Sequence, residues 1–380
     1  MWLQLIALAL VAEPAPSPSP AEVRLRLDGY DDGWITVLSP ALAARLRLAD
    51  EVDVAGHVTV DAISGATRSL TTTASHPGVD AVSSATRFAE TRYEGELGTT
   101  WSPDALHRVR AGYLLSSEPD YVSHALALGG EIELLDRRAT ASLGYRLSLE
   151  RVGSVDDPTV DEALAQHALD LGWTHVVAKR TALTVLVAAS HAACGARLGC
   201  GGSPYRHVGM TTAGSGTIDL AIAERHPDER TRAAVALRLV QVLHAQLGLH
   251  AGYRLYADSW EVLGHTADLA LVHTLLAERL TLRLQGRVGA QSAASFVRAS
   301  YVFDASAFEV PAWRTADREL GEIVSGEVEA TAAWDIARLG GLGALSLELT
   351  LAWHHWRYAR SPGPRTREAW RLGGGLGATF

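Results

Sequence analysis

Lysine is almost missing from this chain: Lys179 is the only one, and there is no asparagine at all. Arginine carries the positive charge, a bias that with abundant alanine reflects a GC-rich coding sequence rather than function. Net positive charge is missing too; the formal balance is −9, which argues against nucleic acid as the main partner. Charged residues are 20% against 47% hydrophobic, so the chain is not broadly disordered. No segment beyond the N-terminus reaches 18 consecutive apolar residues, which excludes a helical membrane protein. There is no phosphate-binding Walker loop, no standard zinc spacing and no pattern that calls for a cofactor. Only two cysteines occur, Cys194 and Cys200.

The N-terminus reads "MWLQLIALALVAEPAPSPSPAE". Residues 2–11 are almost continuously apolar, small residues follow, and then a Pro/Ser run begins. The pattern is that of a secretory signal peptide, without the usual leading basic residue. It predicts a signal peptide over 1–12, a Pro-rich linker over 13–21 and one domain over 22–380. In an exported chain the two cysteines can pair.

Downstream, polar and apolar residues alternate. In "EVDVAGHVTVDA", Asp53, His57, Thr59 and Asp61 take one side, and Val52, Val54, Val58 and Val60 the other. "LTLRLQGRVG" sets Leu280, Leu282, Leu284 and Val288 against Arg283, Gln285 and Arg287. "ALSLELTLAW" sets Leu345, Leu347, Leu349, Leu351 and Trp353 against Ser346, Glu348 and Thr350. A period of two means strand, because successive side chains leave opposite faces. The strands are long, roughly ten residues or more, which suits a membrane barrel better than a soluble sandwich. In hydrocarbon every backbone group must be paired, so the sheet must close on itself.

The reading gives about 16 strands (range 14–16), near 22–30, 33–48, 51–63, 87–99, 106–116, 121–135, 139–150, 161–176, 180–190, 231–244, 248–258, 262–274, 278–290, 319–335, 343–358 and 368–380. Connections after the even-numbered strands are short. The long ones, 64–86, 191–230 and 291–318, all fall after odd-numbered strands. This predicts an all-β, transmembrane, antiparallel up-and-down barrel with short periplasmic turns and long extracellular loops, located in the bacterial outer membrane. The C-terminal strand ends in Phe380, and "GGGLG" lies in it as close-packing residues rather than as a phosphate cradle. Any plug must come from the long loops.

The stretches "VDAISGAT", "FAETRYE", "AERHPDERTR", "YRLYADSWEVLGHT" and "QSAASF" occur in an order that resembles an uncharacterised family of predicted outer-membrane proteins, domain-of-unknown-function family 3570. The matching positions include Asp61, Ser64, Gly65, Glu90, Arg92, Glu224 to Asp228, Thr231, Arg232, Tyr253, Arg254, Tyr256, Asp258, Trp260, His265 and Gln291. This chain departs from the pattern at Glu261, where the family has Gly. The resemblance implies a barrel and no established activity.

Candidate residues follow from clustering. "AERHPDERTR" packs Arg225, His226, Asp228 and Arg232 ahead of a strand, either as a solvated loop end or as a constriction with Arg forks for anions. Arg254, Tyr256 and Asp258 point inward together, and Asp61, Glu90 and Arg92 line another part of the wall. Mixed Glu–Arg ladders either brace a wall or shape a pore's field. No histidine has a serine two positions away, the spacing a catalytic pair on one strand face would need. The function expected is a pore or export/uptake channel for small solutes. The alternatives are a closed structural or partner-docking barrel of an envelope complex and, less favoured, a lipid hydrolase. The partners expected are outer-membrane lipid and an envelope protein, not nucleic acid.

Overall fold

A computed structural model describes residues 20–70, 82–212, 220–303, 309–338, 343–359 and 364–380. The expected signal peptide, residues 1–12, and most of the expected linker lie outside the described residues. The strands are β1 (Ala21–Asp31), β2 (Ile35–Ala49), β3 (Val52–Leu70), β4 (Val82–Trp101), β5 (His107–Glu118), β6 (Tyr121–Leu134), β7 (Ala139–Gly153), β8 (Asp161–Ala178), β9 (Thr181–Cys194) and β10 (His207–Thr212). They continue as β11 (Leu220–Ala223), β12 (Glu229–His244), β13 (Leu247–Asp258), β14 (Leu263–Leu275), β15 (Leu280–Gln291), β16 (Tyr301–Phe303), β17 (Ile323–Arg338), β18 (Ala344–Tyr358) and β19 (Thr366–Thr379). Sixteen of them close into one antiparallel barrel, with β1 paired to β19; β11, β10 and β16 form a separate three-stranded sheet.

The alternation of the sequence becomes the two faces of the wall. Along β15, Leu282, Leu284 and Val288 are 39%, 56% and 62% exposed while Gln285 between them is 7% exposed. Apolar side chains outside and polar ones inside invert the order of a water-soluble fold. The same inversion holds around the ring: Asp61, Ser116, Ser123, Ser148, Ser190 and Thr350 are buried, whereas Leu126, Leu128, Leu349, Leu372 and Leu376 are exposed. An outer wall this apolar is stable only in hydrocarbon. Trp101, Trp173 and Trp334 stand exposed near the turn end of their strands, where aromatic rings meet the interface.

The connections differ from expectation in two places. Residues 64–86 are mostly strand, since β3 runs to Leu70 and β4 starts at Val82. Backbone pairing needs no lipid, so the ladder continues past the point where the apolar alternation stops. Residues 191–230 and 291–318 are not plain loops, because they contain β10, β11 and β16.

The closing seam depends on its glycines. Gly375 of β19 lies between Arg26 of β1 and Glu348 of β18 in the register. Arg26 reaches across it to donate to Glu348 at 2.5 Å. A Cβ at Gly373 would stand 2.5 Å from Asp28 Oδ1, the carboxylate that also accepts from Arg26. The same device recurs where Arg371 of β19 crosses Ala352 of β18 to bind Glu329 of β17. A small residue under two opposite charges lets them meet over a strand.

Candidate functional site

The segments between β9 and β12 and between β15 and β17 fold together into a cap. Its upper core is Val208, Met210 and Tyr301, with Leu220, Ile222 and Ala316 against them. Its lower core joins cap to barrel, combining Ala192, Ala234 and Tyr256 of the inner wall with Cys200, Trp260, Val262, Ala294 and Phe296. Cys194 and Cys200 form a disulfide that ties the end of β9 to the cap.

The "AERHPDERTR" motif is the buried spine of this cap. Glu224 is 1% exposed. It accepts from the Ser203 amide at 2.7 Å and from Thr315 Oγ1 at 2.8 Å, bonding both cap segments. His226 faces the Cys200 carbonyl through Nδ1 at 3.1 Å, and its Nε2 lies 3.6 Å from Glu224 Oε2. Its ring packs against Trp260 and Phe296 at 5.5 and 5.7 Å. Gly199 makes the approach possible: its φ is +72°, and a Cβ would fall 2.1 Å from the His226 carbonyl oxygen. Arg225 pairs through its backbone with Arg314, while Asp228 is exposed and its carbonyl accepts from the Cys194 amide. The expected constriction residues Arg225, His226 and Asp228 are therefore cap residues, and His226 is enclosed rather than turned to water.

Asp258 is the junction between cap and barrel. Its Oδ1 accepts from the amides of Trp260 and Val262, and its Oδ2 from Tyr256 and Arg230. Arg230 then lies over the Trp260 ring, 4.0 Å from its centroid. Trp260 Nε1 donates to the Glu229 carbonyl. The turn that carries Trp260 places Glu261 at φ +69°, a left-handed conformation that glycine enters without strain.

Polar contacts carry the cap over the mouth. Tyr205 donates to Asp120 at 2.5 Å, between β5 and β6, and accepts from the Val155 amide between β7 and β8. Arg197 binds Asp157 at 2.9 Å. On the far side, Tyr358 of β18 donates to Glu319 at 3.0 Å, and Arg367 of β19 bridges Asp32 and Glu319. The hydrogen bonds from Thr159, reinforced by Arg197, hold the Asp157 carboxyl below the usual aspartate range.

The other expected site residues stand apart on the inner wall. Asp61 accepts from Ser39 at 2.5 Å and from Arg92 Nε at 2.7 Å. Glu90 lies higher on the same wall, its carboxylate within 4.8 Å of those of Glu118 and Asp120. Arg254 has its guanidinium 5.6 Å from the Tyr256 ring and a buried Nη2 with no hydrogen bond. Arg232 donates to Gln166. Tyr256, Asp258, Arg232 and Arg254 thus gather on β12 and β13, while Asp61, Glu90 and Arg92 do not join them. Sequence reasoning placed Arg230 in the charged cluster but missed Gln166 and Ser190. Inward parity on their strands was the signal that places them on the lumen.

Residues 6–169 and 161–357 match the model of a family described as a protein of unknown function (DUF3570). The chain belongs to this family. No curated protein matches it. A bacterial polysaccharide outer membrane secretin is 11% identical, over 96% of this chain and 100% of that one, with a TM-score of 0.52. OprD of Pseudomonas aeruginosa is 11% identical, over 95% of both chains, at 0.45. The siderophore receptor PirA from Pseudomonas aeruginosa is 10% identical, over 95% of this chain and 62% of that one, at 0.46. The likeness is one of fold: this DUF3570 protein is an outer-membrane β-barrel.

Proposed function

We propose that the protein is a channel for small solutes whose outer entrance is narrowed by the cap. The observation that carries this reading is a charged, wet interior. Inward side chains such as those of Arg287 and Glu348 keep 46% and 36% of their surface open, whereas a structural barrel of this size would fill its centre with packed side chains. Purified protein in planar bilayers should give discrete openings, and deleting contacts under the cap should enlarge them. Silence in every condition would remove the channel.

A docking role is the second reading, and Val302 and Trp313, both exposed on the cap, favour it. It requires stable capture of an envelope partner by the intact barrel and predicts no openings.

A further inference from the structure

One part of the inner wall breaks the pattern seen elsewhere. A row in the register runs Arg146 on β7, Ala168 on β8, Ser190 on β9 and Arg232 on β12. At the seam, small residues lie under opposite charges that reach each other. Here two small residues lie between two arginines. The result is a concavity open to the lumen. Ala168, Ala188 and Ala234 line it together with Gln166, Asp170 and Ser190. Ala234 also belongs to the lower core of the cap, so the concavity adjoins the entrance.

One polar group in it has no hydrogen bond, and a charged one has no ion pair. Ser190 is 7% exposed, and its Oγ makes no hydrogen bond. A buried hydroxyl left this way is unfavourable until something bonds it. Arg232 lies opposite Asp258 in the register. That carboxylate is already committed, to Arg230 and Tyr256 through Oδ2 and to two amides through Oδ1. Arg232 is left with neutral hydrogen-bond partners, Gln166 Oε1 at 3.2 Å and the Tyr256 phenol. No ion pair to Arg232 occurs among the described residues. Glu150, the acid on β7, hydrogen-bonds Tyr121 and feels the Arg232 charge without closing an ion pair with it.

We propose that this concavity is a binding subsite for a small hydroxylated organic anion. Its carboxylate meets the Arg232 guanidinium, whose fork suits that group. Its hydroxyls meet Ser190 Oγ, the Gln166 amide and the Asp170 carboxylate, and the alanine floor admits its carbon chain. This gives a solute class to the channel proposed above, and only its role in passage rests on that reading.

The test is calorimetry on the folded protein in detergent micelles, with D-gluconate as probe and D-glucose as its uncharged counterpart. Gluconate should bind, and glucose at least about tenfold more weakly, a factor worth about 1.4 kcal/mol. Arg232→Gln and Ala188→Leu should each weaken gluconate about tenfold or more, with Arg232→Lys recovering part of the loss. Ala188→Leu fills the floor without removing a charge, so it keeps the test decisive if Arg232→Gln folds poorly; circular dichroism checks both. No heat from gluconate, equal binding of glucose, or variants that bind like wild type would overturn the subsite. Binding without openings in bilayers would remove the channel and leave the subsite standing; openings without binding would do the reverse.

Discussion

Two stretches of the same wall use the same residue types to opposite ends. From β17 through the seam to β6, four inward clusters meet partners of opposite sign, Glu329 with Arg371, Glu348 with Arg26, Asp61 with Arg92, and Glu131 with Arg108 and Arg110, although Glu90, Glu118 and Asp120 crowd together at the rim. From β7 to β13, Arg232 and Arg254 close no ion pair among the described residues, because Asp258 serves the cap. The first stretch is braced. The second holds the cap and the concavity, and under the proposed function it keeps charge available to a solute, a place where local stability gives way to unpaired groups.

The largest blow to this division is Trp260→Ala. The ring is buried at the base of the cap, and its loss should cost the cap roughly 3–5 kcal/mol of local stability. Limited proteolysis should then cut within the cap while the barrel stays intact and its conductance rises. Next comes a matched pair. Asp61→Ala strands Arg92 on the braced wall and should lower barrel stability by about 2–3 kcal/mol, less than for a fully buried pair because Arg92 keeps some solvent contact. Arg232→Gln, on the other wall, should change stability by less than about 0.5 kcal/mol. Equal losses in urea unfolding would erase the distinction between the walls.

Reducing the Cys194–Cys200 disulfide should loosen the cap by roughly 2 kcal/mol, the amount a short closed loop contributes, and hydrogen exchange at Gly199 to Gly202 reads it. Glu261→Gly should act in the opposite direction, stabilising the β13–β14 turn by up to about 1 kcal/mol as left-handed strain is relieved. The smallest effect belongs to pH. The folded-state pKa of Asp157 is depressed, so its contribution is present above the ordinary aspartate value of 3.8 and is lost as pH falls through the lower, folded one. A spin label at Val155 should gain mobility in that acid range and show no change between pH 5 and 8.

The fold was legible because alternation is a local property. Each strand carries its own two faces, and sixteen repetitions with short turns after every second strand admit little besides a ring. The seam was legible in part: "GGGLG" announces close packing, but only the register shows that Arg26 crosses Gly375. The cap was not legible. Its strands β10, β11 and β16 are short, and β10 pairs with β16 across some ninety residues of sequence, in parallel. No window of local sequence encodes that. His226 shows the same limit. A charged motif reads as solvated until the tertiary contacts of Glu224, Cys200 and Trp260 enclose it. Conversely, Gln166 and Ser190 look like ordinary wall residues until the neighbouring alanines open space before them.

The claim beneath all of this is that β15 has lipid on one side and water on the other. Single spin labels placed at each position from 280 to 291 in reconstituted protein test it directly, with oxygen and a water-soluble nickel chelate as competing relaxers. Oxygen should dominate at Leu282, Leu284 and Val288, and the chelate at Arg283, Gln285 and Arg287, with a strict period of two. A profile without that period, or chelate access at Leu282 and Leu284, would contradict the account.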